Sequence, residues 1–212
     1  MANWRRTIEA LSRVKWKLDS NGYFEGRPII GRDTQIDGGV SLGGSSREAI
    51  VVDFGKSPYI QNLYRLARQK SSREGVVQKE LVLRAVYDVV METMHIKDEY
   101  ATEALLDNLG IMNDQKVSLD LFVEKGIGVC RHNALVTGVV LERFKKDNHI
   151  SGNVSADRNS CEHGGHMWTR YSSKDGRTWI LDVTQEYFGG LKQAIKEGRW
   201  PYQRPEDTFI PQ

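Results

Sequence analysis

Three short stretches hold the residue types that could do covalent chemistry. They are Gly126-Ile127-Gly128-Val129-Cys130, Gly164-Gly165-His166-Met167-Trp168 and Ile180-Leu181-Asp182-Val183-Thr184. A cysteine attacks a carbonyl as the thiolate, and a free thiol titrates near ~8.5, so its surroundings must lower that value. A helix N-terminus does so through its dipole, and its free N–H groups can hold an oxyanion. Glycines ahead of Cys130 let the chain turn sharply into such a helix and let a substrate approach. His166 is the candidate base and Asp182 the group that fixes its tautomer, which makes a Cys130–His166–Asp182 triad. Trp168, two residues beyond His166 on the same strand face, is the candidate substrate-side wall against water.

Other reactive side chains have blander readings. His132 lies two residues from Cys130, a spacing that does not share a helix face, so it reads as structural. His163 is a rival for the base, and Cys161 reads as a loop thiol. Cys130, Cys161, His163 and His166 together suggest zinc, but Cys-x-His-x-x-His departs from the usual spacing of ligand pairs. Besides the Cys130 backbone, an oxyanion would need a second donor. Asn108, Asn113 and Gln115 lie upstream and carry suitable amides. The glycines from Gly38 to Ser45 lack the lysine of a phosphate-binding loop and read as turns.

Elements that would position the triad follow from hydrophobic spacing. Ile8, Leu11, Val14 and Leu18 predict an amphipathic helix over residues 1–18. Asn21-Gly22, Asp37-Gly38-Gly39 and Gly43-Gly44 mark turns, with short strands expected at Pro28–Ile30 and Ala49–Val52. Helices are expected at Pro58–Gln69, Lys79–His95, Tyr100–Leu109 and from a Ser118 cap to Glu124, the last ended by Gly126. Ala134, Leu135, Gly138, Val139 and Leu141 recur at helical spacing, so Cys130 should open a helix reaching Phe144. The polar run from Asp157 to His163 reads as a loop that shapes access to the site. His166–Tyr171 and Thr178–Val183 should be strands, paired antiparallel through Lys174-Asp175-Gly176. A short helix over Leu191–Glu197 and an irregular tail from Trp200 complete the chain. Helix before strands implies an α+β fold, a catalytic helix packed on an antiparallel sheet. The expectation is one domain, residues 76–212 forming the core and residues 1–75 a helical N-terminal elaboration.

Composition narrows the classes. The chain has 212 residues, 39% hydrophobic and 27% charged, enough to bury a core. Net charge is +2 and the basic pairs are short, which argues against a nucleic-acid partner. The absence of a long apolar run argues against a membrane span, and the first residues lack a secretory signal. With 2 cysteines, no disulfide framework is expected, and a cytoplasmic location follows as the default. Delivery as a secreted effector would leave the same sequence.

Taken together, Gly-Ile-Gly-Val-Cys followed by Ala134 and Leu135, then His166-Met167-Trp168, then Leu181-Asp182-Val183-Thr184 resembles the transglutaminase-like superfamily. Gly128-Val129-Cys130-Arg131-His132 also resembles the peptidase-like domain found beside certain plant Raf-like kinases. The resemblance covers residues 118–188 and departs at Val183, where the family often has proline. It implies a papain/transglutaminase-like core with Cys at a helix start and His and Asp on neighbouring strands. It also implies an enzyme cleaving or transferring amide acyl groups of a protein or peptide, with a protease or deamidase preferred over a transglutaminase. No calcium loop is legible, and no metal or cofactor is expected. The alternative is a catalytically silent module of this type that binds protein.

Overall fold

The computed structural model describes residues 18–19, 21–43, 47–161 and 164–207. The helix expected over residues 1–18 falls almost wholly outside them. The architecture is α+β, as the order of periods implied. A meander of four antiparallel strands, β6 (Gly152–Cys161), β7 (Gly164–Ser173), β8 (Thr178–Asp182) and β9 (Tyr187–Gly190), lies in that order. A smaller sheet pairs β1 (Val40–Leu42) antiparallel with β2 (Ala49–Val51), and β2 parallel with β5 (Lys116–Ser118). The short hairpin β3 (Ser72–Arg73) and β4 (Val76–Val77) links the first two helices.

Helices α1 (Pro58–Lys70), α2 (Lys79–Thr93), α3 (Glu99–Asn108) and α4 (Leu119–Lys125) form where expected, with ends shifted by one or two residues. Ser118 caps α4 through the Asp120 N–H, and Gly126 closes it at φ 64°, a left-handed conformation suited to glycine. Next comes α5 (Cys130–Lys146), the central element. Every residue from Arg131 to Leu141 is buried, so this helix has no solvent face along that length. It lies against the meander on one side, where Thr169 Oγ1 donates to Ala134 O at 2.8 Å. Val82, Val86 and Val90 of α2, Leu63 of α1 and Phe122 of α4 fill one continuous core with its apolar side chains. A last helix, α6 (Leu191–Lys196), packs Ala194 under Trp168, Tyr187 and Tyr202 in a smaller core.

Residues before α1 clamp the central helix along its length. Ile36 meets α5 where Gly138 leaves out a side chain; a Cβ there would sit 2.3 Å from Ile36 Cδ1. The Glu142 carboxylate accepts from the Ile36 and Asp37 N–H groups, each at 2.8 Å. Glu48 reaches the first turn of α5.

Two expectations need correction. The strand at Pro28–Ile30 reduces to a single parallel bridge, Ile29 to Val40. The polar run at 157–161 is not a loop but the end of β6, paired with β7 from Gly152↔Ser173 to Cys161↔Gly164. Its polarity misleads because its partner is remote in sequence. Asp157 is 3% exposed and accepts from Arg204 at 2.5 and 2.6 Å, while Arg204 also reaches Ser155. A buried carboxylate is tolerated in a strand when a charged donor satisfies it. Among the described residues, no helix is long and apolar enough to cross a membrane.

Candidate active site

The Cys130 position follows from the loop before it. Ile96 N–H donates to Gly126 O at 3.0 Å, and Gly128 N–H donates to Ile96 O at 2.9 Å, so the loop is stitched to the segment that follows α2. Val129 is extended at φ −99° and ψ −176°, and helical geometry begins at Cys130. Cys130 is therefore the first residue of α5, where N–H groups have no intrahelical acceptor. Gly128 serves the interior: a Cβ there would lie 2.7 Å from His132 Cβ and 2.8 Å from Met94 Cε. Its glycine requirement is thus internal packing, in addition to any role in substrate approach.

The sheet brings the other two residues to the same point. The Lys174–Gly176 turn pairs β7 and β8 with Thr169 opposite Leu181, and Gly176 takes φ 84°. Continuing that register by one places Asp182 opposite Trp168 and diagonal to His166, on one face. His166 Nε2 lies 2.5 Å from Asp182 Oδ2. With Nε2 facing Asp182, Nδ1 is the nitrogen left for the sulfur, and His166 and Cys130 are close enough to shift each other's titration. The Met167 backbone N–H also favours the thiolate, and Gly165 O lies 3.9 Å from Sγ. Cys130 is a free, half-buried thiol.

The electrostatics favour an ion pair. Burial alone would push the Cys130 thiol up; the His166 hydrogen bond and charge and the Met167 N–H outweigh it and hold the thiol below its ordinary value. For His166, burial pushes down, but the hydrogen bonds to Asp182 and Cys130 win and raise it to about 10. Both shifts move the pair toward thiolate beside imidazolium.

Asp182 is 1% exposed and fully engaged. Oδ1 accepts from the Gln185 N–H at 3.0 Å, and Oδ2 accepts from the Tyr202 hydroxyl at 2.6 Å as well as facing His166. Tyr202 was not among the residues legible as site residues. It arrives from the irregular tail, and its only sequence signal is an aromatic beside Pro201. Trp168 stacks on His166 with centroids 5.8 Å apart at 27°, and Tyr202 closes its other side at 5.1 Å. At 2% exposure Trp168 backs the imidazole and offers little free surface. Its Nε1 has no hydrogen-bond partner among the described residues. Asn133, one turn into α5, donates to Thr184 Oγ1 at 2.9 Å and ties the helix to the end of β8.

The remaining candidates separate from this cluster. His132 is fully buried; its Nε2 lies 3.0 Å from Glu48 Oε1 and its ring packs tilted against Phe122 with centroids 4.0 Å apart, a structural role. Asn108, Asn113 and Gln115 are exposed, and the Gln115 side chain accepts locally from the Met112 N–H. His163 and the Cys161 side chain lie outside the described residues. Among those described, no group of three or more His, Cys, Asp or Glu is arranged to hold a metal. No protein-family model, curated protein or solved structure matches the chain.

Proposed function

We propose that this protein is a transglutaminase-like cysteine hydrolase or acyltransferase acting on amide bonds of protein or peptide substrates. The observation that carries the reading is Cys130 at a helix start, electrostatically coupled to an imidazole whose Nε2 lies 2.5 Å from a buried carboxylate. A helix across a four-stranded antiparallel meander, with Cys, His and Asp contributed in that order, supports a papain/transglutaminase-like core.

The chemistry is covalent catalysis in two steps. The Cys130 thiolate attacks the amide carbonyl carbon, and the C–O π electrons move to oxygen. N–H groups at the start of α5 are placed to receive that oxyanion. The oxyanion collapses, the C–N bond breaks, and His166 gives its proton to the leaving nitrogen, leaving a thioester on Sγ. His166, now neutral, takes a proton from the second nucleophile as it attacks the thioester. The C–S bond breaks and the thiolate–imidazolium pair returns. Water as second nucleophile gives hydrolysis; an amine gives transfer. Asp182 holds the ring in place and supports its positive charge, and Trp168 keeps water off one ring face. Hydrolysis is favoured because water needs no acceptor site.

The test is a glutamine-rich protein such as casein, incubated with and without a fluorescent primary amine. Ammonia release without amine incorporation or cross-linking identifies a deamidase, peptide-bond cleavage a protease, and amine incorporation with ammonia release a transglutaminase, and each must vanish in Cys130→Ala. Rapid alkylation of Cys130 near neutral pH with no turnover of casein keeps the enzyme reading and directs the search to other amide substrates. A Cys130 that alkylates like a free thiol and supports no turnover removes the enzyme reading and favours the silent protein-binding module.

A further inference from the structure

Glu48 belongs to neither the catalytic helix nor the meander. It stands one residue before β2, yet its side chain is 1% exposed and ends at the first turn of α5. Oε1 accepts from Arg131 Nη2 at 2.5 Å, and the Glu48 main-chain oxygen accepts from Arg131 Nη1 at 3.3 Å. The same Oε1 lies 3.0 Å from His132 Nε2. His132 Nδ1 accepts from the Val129 N–H at 3.2 Å. That bond settles the tautomer: Nδ1 is the acceptor, so the proton sits on Nε2 and points at Glu48. One carboxylate thus holds both the residue after Cys130, through Arg131, and the peptide before it, through His132.

The charges are consistent with a permanent arrangement. Burial pushes the Glu48 carboxyl up, but the His132 hydrogen bond and the Arg131 charge outweigh it and hold it at about 2. Burial pushes His132 down to about 4. A neutral ring and one cation therefore face one carboxylate near neutral pH. Neither Glu48 nor His132 touches the reacting atoms, so the mechanism above leaves this buried cluster without a task.

We propose that Glu48 is a positioning residue for Cys130, locking the first turn of the helix from both sides so that the sulfur sits against His166 and the Met167 N–H. The proposal rests on the reading of Cys130 as nucleophile. It makes the segment before α1 part of the active site, not an appendage to it. The competing role is plain charge neutralisation of buried Arg131.

The two roles move the Cys130 titration in opposite directions. The charged groups around the sulfur are His166 from β7, Asp182 from β8 and Arg131 from its own helix. Deleting the Glu48 charge alone leaves Arg131 uncompensated within electrostatic reach, which favours the thiolate and moves the midpoint down. Losing the position of the first turn takes the sulfur from His166 and moves the midpoint up.

The experiment measures the iodoacetamide rate at Cys130 in the full chain from about pH 5 to about pH 10, with thermal unfolding alongside. Glu48→Ala removes charge and hydrogen bonds. Glu48→Asp keeps the charge on a shorter arm, and Glu48→Gln keeps the accepting oxygen without the charge. Positioning predicts that Ala and Asp raise the midpoint by about one unit or more, toward the free-thiol value near ~8.5, while Gln sits at or below wild type. A midpoint that stays or falls in Ala and Asp overturns the proposal. If Glu48→Ala does not fold, Glu48→Asp decides on the same criterion. His166→Ala run in parallel separates the two readings. If that variant leaves the wild-type midpoint in place, the Cys–His pair is wrong and this proposal falls with it. A depressed, His166-dependent midpoint that ignores Glu48 sinks this proposal alone.

Discussion

Tyr202 donates a hydrogen bond to Asp182 Oδ2 at 2.6 Å, the same oxygen that lies 2.5 Å from His166 Nε2. The Asp182 carboxylate is therefore shared between a strand residue sixteen positions away and a tail residue twenty positions away. Burial and the Asp182 charge both push the Tyr202 hydroxyl up, so it stays a donor throughout the working pH range. Tyr187 stacks on the Tyr202 ring at 5.5 Å, and the tail is anchored further by Arg170 with Asp207 and by Arg204 with Asp157.

Tyr202→Phe keeps those ring contacts and deletes one donor to a buried charge. Denaturant unfolding should show a loss of about 1.5–3 kcal/mol, the range for hydrogen bonds to charged groups. The alkaline limb of any activity should move up, because Asp182 with one donor fewer binds the imidazolium more strongly. An unchanged stability would mean that the hydroxyl is equally well satisfied by water.

The pH dependence of turnover should be bell-shaped. The acid limb reports formation of the thiolate and should fall below the ordinary thiol value. The alkaline limb reports loss of the imidazolium proton and should fall near 10. These limbs belong to the Cys130–His166 pair as a unit. A single limb at the free-thiol value would mean no pairing.

Asp182→Asn should fold and lose activity. The amide cannot support the imidazolium charge, and the same change in a serine triad lowers turnover by about 10⁴. Here an effect of about 10²–10⁴ on turnover is expected, with Cys130 alkylation at neutral pH reduced in step. Retention of full activity would remove Asp182 from the mechanism.

Acid should weaken the fold through His132. Its folded value of about 4 lies below the ordinary 6.5, so the unfolded chain takes up a proton that the folded protein refuses. Stability from this group is complete above 6.5 and is lost as pH falls toward 4. The full effect is about 3 kcal/mol, at roughly 1.4 kcal/mol per unit. Unfolding midpoints measured across that window should slope in the wild type and flatten in His132→Gln.

Gly138 and Ile36 should couple. Alanine at 138 brings a Cβ within 2.3 Å of Ile36 Cδ1, in a fully buried contact. Overpacking should cost about 1–3 kcal/mol despite the better helix propensity of alanine. Ile36→Val removes the offending methyl and by itself costs about 0.5–1.5 kcal/mol. The double variant should be more stable than the sum of the two losses predicts. Strict additivity would show that Ile36 moves aside freely.

Much of this was set by local pattern. The glycines before Cys130, the helical spacing after it and the Asp-Gly turn between the two strands are short-range signals, and each produced the expected element. Period-two geometry then puts His166 and Asp182 on one sheet face without further information. Short-range patterns fail where the partner is distant. Asp157 reads as a loop residue until Arg204 is seen to satisfy it, and Pro28–Ile30 reads as a strand although it makes a single bridge, to Val40.

What the tertiary structure decided is the support of the triad. Tyr202 comes from a tail with no periodic pattern, and Glu48 from a segment that reads as an elaboration. Both reach the site because buried charges demand donors or counter-charges wherever the fold can bring them. Hydrophobic period fixes which face a residue lies on. It carries no information about which remote polar group will meet it there, since that depends on how separate elements pack, and only the folded chain brings residues 48, 132, 182 and 202 within hydrogen-bond distance of their partners.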